Sequence, residues 1–190
     1  MCSAPATQAR LIIHPQSVFD VPAQISTIKQ ALRDTGLLAD EFSKNMYYVG
    51  ENFIQLITFL GCSPAIQLSP EANKPFCYIE FSTIAPHSRL LGHCRSATPK
   101  CPNCKNKINN WKNIDKWQIA CSQYTCNKCA MRSSLADLKW RQLAGYGRFS
   151  INIINIHPHE AVPAEKIFSL LRDISGFEWN YFYANNEIEL

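Results

Sequence analysis

The sequence predicts an α+β protein in which two βαβ halves flank a cysteine-rich module. Three observations predict it: the two ends of the chain repeat one another, two C-x-x-C motifs stand between them, and charge divides along the same lines. The 190 residues carry 19 Lys+Arg against 15 Asp+Glu, a net charge of +4. From His87 to Arg148 there are 12 basic and 2 acidic residues, a local +10 that leaves −6 on the remainder. With 46% hydrophobic and 11% aromatic residues the chain can bury a core, which excludes a mainly disordered polymer.

Each end reads as strand, loop, helix, strand. Leu11-Ile12-Ile13-His14-Pro15 and Ile153-Ile154-Asn155-Ile156-His157-Pro158 open the two copies as short strands rich in isoleucine. Val21-Pro22-Ala23 and Val162-Pro163-Ala164 follow, with proline where a helix starts and no N–H is needed. Ile25, Ile28 and Leu32 recur at helical spacing in one copy, and Ile167, Leu170, Leu171 and Ile174 in the other. Leu32-Arg33-Asp34 and Leu171-Arg172-Asp173 precede Gly36 and Gly176, each placed for a left-handed cap. Strands are expected at Phe53 to Leu60 and at Trp179 to Tyr183, with a further strand at Phe76 to Phe81. In element order the two halves resemble the ferredoxin-like sandwich, which implies one antiparallel sheet with helices on one face. The resemblance covers both ends and not the middle.

The middle carries the specific motif. Cys101-Pro102-Asn103-Cys104 and Cys126-Asn127-Lys128-Cys129 are separated by 21 residues. Zinc takes four ligands in a tetrahedron, and two such knuckles supply four thiolates from tight turns. Residues 99–131, with Lys105 directly after the first knuckle, resemble a zinc ribbon. A redox C-x-x-C needs no twin and sits at a helix start, whereas Asn106, Asn109, Asn110 and Asn113 read as turn. Four thiolates leave no open coordination position, so the expectation is one structural zinc per chain and no zinc catalysis. Cys94 and Cys121 are surplus thiols near the site, and Cys62 and Cys77 read as buried structural cysteines. Serine 134 and Asp137 suggest a capping box for a short helix before Gly145.

Lys105, Lys107, Lys112, Lys116, Lys128 and Arg132 surround the knuckles, interleaved with Trp111 and Trp117. Lysines meeting phosphates while indoles stack on bases would bind RNA or single-stranded DNA. The same charge would dock an acidic protein or a second copy of the chain. Tryptophans supplying the small core of the module are the plainer reading. A rival enzymatic reading uses His14, His157 and His159, because ferredoxin-like order is expected to set the two opening strands side by side and parallel, with both His-Pro turns at one edge. No catalytic residue is assigned. Met1 to Thr7 lacks a basic start and the apolar run Phe53 to Gly61 is too short to span a bilayer, so a cytoplasmic protein off the membrane is expected. The expected division is 1–88 and 133–190 for the halves of the α+β body, and 89–132 for the inserted ribbon.

Overall fold

The computed structural model describes residues 8–60, 66–71 and 74–185. The chain opens with strand β1 (Arg10–Pro15) and helix α1 (Ile25–Asp34), followed by the hairpin of β2 (Leu38–Ser43) and β3 (Met46–Val49). A one-turn helix α2 (Phe53–Leu56) runs into β4 (Ile57–Phe59), and β5 (Tyr78–Phe81) follows. The middle segment contains β6 (Arg89–His93), β7 (Gln123–Thr125), β8 (Arg132–Ser134) and β9 (Ala144–Gly147). The last part supplies β10 (Ile151–Ile154), β11 (Ala161–Pro163), α3 (Glu165–Ser175) and β12 (Trp179–Ala184).

Six strands form one antiparallel sheet in the order β12-β1-β10-β5-β3-β2. The split unit β10-α3-β12, with β1 between its strands, makes the α+β fold broadly compatible with a ferredoxin-like arrangement. Strand alternation explains the layering. Leu11 and Ile13 of β1, Ile151 and Ile153 of β10, and Ile79 and Phe81 of β5 bury one face against Ile28, Leu32, Ile167 and Leu171 of the two long helices. Ile12 points the other way, into a small cluster with Phe182 and Ala184. The antiparallel β6–β9 pair lies there: a Cβ at Gly92 would stand 2.8 Å from Ala184, and one at Gly145 would stand 2.3 Å from the Phe182 ring. Both glycines are set by this close approach. Among the described residues no helix is long and apolar enough to cross a membrane.

The helices and their caps follow the sequence reading closely. Gly36 and Gly176 adopt φ of 74° and 80°, and their N–H groups bond back to the carbonyls of Arg33 and Arg172. The first helix begins at Ile25, three residues after Pro22. Two expectations are corrected. Phe53 to Leu60 is not a strand of the main sheet: Phe53 and Leu56 lie in α2, and β4 pairs only with β11. Phe53, Leu56 and Ile57 are buried at helical spacing, a period masked in the sequence because the exposed Ile54 and Leu60 are apolar as well. The strand that follows α1 is instead β2, Leu-Ala-Asp-Glu-Phe-Ser, an edge strand whose polarity conceals it. No helix follows Ser134 either. Its hydroxyl donates to Asp137 at 2.7 Å and accepts the Asp137 N–H, but the pair closes a turn.

Candidate metal centre

The four knuckle cysteines converge. Their sulfurs all lie within 4.8 Å of one another, with Cys101 to Cys129 at 3.7 Å and Cys104 to Cys126 at 3.6 Å. A tetrahedron with Zn–S bonds of about 2.3 Å has S···S edges of about 3.8 Å, so the donor set fits a zinc-sized thiophilic ion. The two knuckles are near copies in their backbone bonding. Cys101 accepts from the N–H of Lys105 at 3.1 Å and donates to Asn106 at 2.9 Å; Cys126 accepts from Ala130 at 2.8 Å and donates to Met131 at 2.9 Å. Lys105 and Ala130, one residue past each second cysteine, both take the left-handed conformation, at φ of 59° and 58°. This turn folds each Cys-x-x-Cys back on itself, so both sulfurs leave it on one side.

Backbone N–H groups then favour thiolates at these positions. The N–H of Met131 leads in pulling Cys129 down to about 6, and those of Lys128 and Cys129 lower Cys126. At Cys104 the Asn106 N–H acts in the same sense, but desolvation and the three neighbouring sulfurs outweigh it and hold the thiol at about 11. Four sulfurs this close cannot all be anionic without a cation between them, which is the charge arrangement a divalent metal satisfies.

A second hydrophobic cluster carries the centre. Trp111, Trp140, Leu135, Leu138 and Ile108 pack with Leu90, Ala144 and Tyr146, so this core draws on residues on both sides of the knuckles. Trp111 is buried, with its indole N–H donating to the Ala97 carbonyl at 2.8 Å, and its ring packs edge-on against Trp140 at 4.8 Å and Trp117 at 5.2 Å. The stacking role expected for Trp111 is therefore corrected: its faces and its N–H are spent inside the protein. Trp117 is half-buried against Trp111 and His93, and Lys112 lies over both indoles at 5.6 and 5.8 Å. Lys105, Lys107, Lys112, Lys116, Lys128 and Arg132 are exposed on the outside of this cluster. Trp140 also serves the core, donating to Leu135 at 2.8 Å.

The histidine cluster does not form. β1 and β10 are adjacent, but antiparallel: Arg10 faces Ile154 and Ile13 faces Ile151, so His14 and His157 leave opposite ends of the pair. The faces differ as well, since His14 packs on Phe182 at 5.3 Å and His159 on Tyr183 at 5.1 Å, successive residues of β12. Burial lowers His14 to about 4, which leaves it neutral at ordinary pH. Cys94 and Cys77 are buried and raised by desolvation, to about 11 and about 12, and Cys94 donates to the Tyr183 carbonyl. Cys121 is exposed, and its sulfur is outside the four-thiol cluster; Cys62 lies outside the described residues.

Two further features stand on the sheet face opposite the helices. Arg10, Arg89 and Arg148 line a cavity of about 380 Å3 between that face and β6. Beside it, the rings of Phe42, Tyr48, Phe76 and Tyr78 cluster with centroids 4.6 to 6.0 Å apart. The sequence signal for both is strand alternation: Tyr78 and Glu80 alternate with the core residues Ile79 and Phe81, and Arg10 with Leu11. Comparison of the chain with protein-family models, with curated proteins and with solved structures gave no match. Function is therefore argued from the chemistry of the residues themselves.

Proposed function

We propose that this is a recognition protein whose zinc ion is structural, and whose basic module contacts single-stranded nucleic acid. The observation that carries the reading is the closed tetrathiolate set: it supplies four donors from two matching turns and leaves no position for a substrate. The residues around it fit a zinc ribbon, residues 89–132, inserted in a duplicated βαβ body formed by 1–88 and 133–190. One zinc per chain would provide folding free energy for a module whose own core is small, on the order of 10 kcal/mol. The exposed cations Lys105, Lys107, Lys112, Lys116, Lys128 and Arg132 then present a positive surface to phosphates. Recognition and assembly, with no chemistry of its own, is the role, and the cytoplasm the compartment.

The test is metal analysis of the purified protein together with retention on immobilised RNA, single-stranded DNA and polyglutamate. One zinc per chain and salt-sensitive retention on nucleic acid are expected. Retention on polyglutamate alone would assign the surface to an acidic protein partner, and a second bound metal would reopen an enzymatic role.

A further inference from the structure

We infer that the part of the sheet face opposite the helices left uncovered by β6 and β9 is a binding surface for single-stranded nucleic acid, with bases stacked on Tyr48, Phe42 and Tyr78 and a phosphate held among Arg10, Arg89 and Arg148. This rests on the nucleic-acid reading above and moves the principal contact from the cysteine module to the sheet. Register places the parts. Arg10 faces Ile154, Ile154 faces Tyr78 and Tyr78 faces Tyr48, so one row, buried at Ile154, places the arginine cavity and the rings on the same face. At about 4.8 Å per strand the row from Arg10 to Tyr48 is about 14 Å long. Sheet faces of similar size stack two or three bases on their aromatic side chains.

Chemistry separates this face from an ordinary solvated one. Phe42 is 37% exposed and Tyr48, Phe76 and Tyr78 are half-buried, so four rings gather where lysines and glutamates would be expected. Phe42 and Tyr48 lie 4.6 Å apart and inclined by 31°, leaving a broad π-surface of the kind bases stack on without sequence preference. The neighbouring cavity is lined by three guanidinium groups, with the Glu80 carboxylate bonded to the Asn152 amide that also lines it. Arg148 spends its Nε on the Ala85 carbonyl at 2.9 Å, which orients the rest of its fork. Planar guanidinium forks match phosphate geometry in a way that lysines do not. One acceptor in the cavity is left unsatisfied: Asn152, 7% exposed, has an Oδ1 with no hydrogen-bond partner, while its Nδ2 donates to Glu80 at 3.3 Å. An acceptor cannot bond a phosphate oxygen, but it takes a sugar hydroxyl or a base N–H. A cavity with three cationic donors and one orphaned acceptor, beside exposed rings, is complementary to a nucleotide unit in a strand.

The experiment uses the full-length zinc-loaded protein, with fluorescence anisotropy of ten-nucleotide uridine and thymidine probes at about 50 mM salt. Tyr48→Ala, which removes one stacking ring, and Arg89→Gln are each expected to weaken binding about ten-fold. Arg89→Gln should also make the logarithmic salt dependence shallower by about 0.7. Tyr48→Phe, which keeps the ring, should bind as the parent does. A probe carrying 5-iodouridine should crosslink on irradiation to peptides containing Tyr48 or Tyr78, a readout independent of variant stability. The uridine and thymidine arms decide between RNA and DNA. If the triple variant Lys105→Gln, Lys107→Gln, Lys128→Gln loses binding while the sheet variants keep it and crosslinks fall in the module, the sheet site is overturned and the nucleic-acid reading stands. If neither probe binds, both fall.

Discussion

His14 gives a quantitative test of the antiparallel placement of β1, because its burial has a predictable energetic signature. The residue lies beside Phe182 on the sheet face that the β6–β9 pair covers, and desolvation lowers it to about 4 from an ordinary value near 6.5. A base whose folded value is depressed favours the native state while it is neutral in both states, above about pH 6.5. As pH falls below that value the unfolded chain takes up the proton first, and stability declines until the folded form also protonates near 4. The difference of about 2.5 in pKa corresponds to about 3 kcal/mol. We expect urea unfolding of the parent to lose that much more stability between pH 7 and pH 4 than unfolding of His14→Leu. His93, which burial also lowers, and the carboxylates act in both proteins and cancel in the comparison. Parallel stability profiles for the two proteins, or an imidazole titration midpoint above 6 for His14 by NMR, would refute the argument.

Other consequences are equally direct. Cys129→Ser should abolish stoichiometric zinc retention and open the segment between β6 and β9 to limited proteolysis, as read by mass mapping of the fragments; an uncleaved, zinc-loaded variant would contradict the ligand assignment. Gly145→Ala drives a methyl group to 2.3 Å from the buried Phe182 ring and should cost about 1–3 kcal/mol in urea denaturation, with zinc content unchanged. Trp111→Phe leaves the Ala97 carbonyl without the indole donor it has at 2.8 Å, and a loss of about 1–3 kcal/mol is expected in thermal melts.

What the sequence reveals, and what it conceals, follows from the range of the interactions. The knuckles are legible because Cys101 to Cys104 and Cys126 to Cys129 are local turns whose purpose is encoded in their spacing, and the structure adds only that all four sulfurs meet. Gly36 and Gly176 are legible for the same reason, since a left-handed cap is decided within one turn of chain. Strand direction is not local. Nothing in Leu11 to His14 or in Ile153 to His157 says whether the two strands run together or in opposition, and that choice alone separates the histidines. Trp111 shows a second limit: an indole between lysines has the same sequence signature whether it stacks on a ligand or fills a core. The arginine cavity combines residues as distant as Arg10 and Arg148, which only the assembled sheet brings together.

The position of β1 also sets an order of assembly. β1 lies in the interior of the sheet, and both its neighbours, β10 and β12, follow it far later in the sequence. Leu11 pairs with Ile153 on one side and Tyr183 on the other, so the centre of the sheet must wait until β12 has been made. The knuckle segment has no such delay, because its four ligands lie within 29 consecutive residues. A metal held by the knuckles would therefore be captured while β1 is still unpaired, ahead of closure at the centre of the sheet.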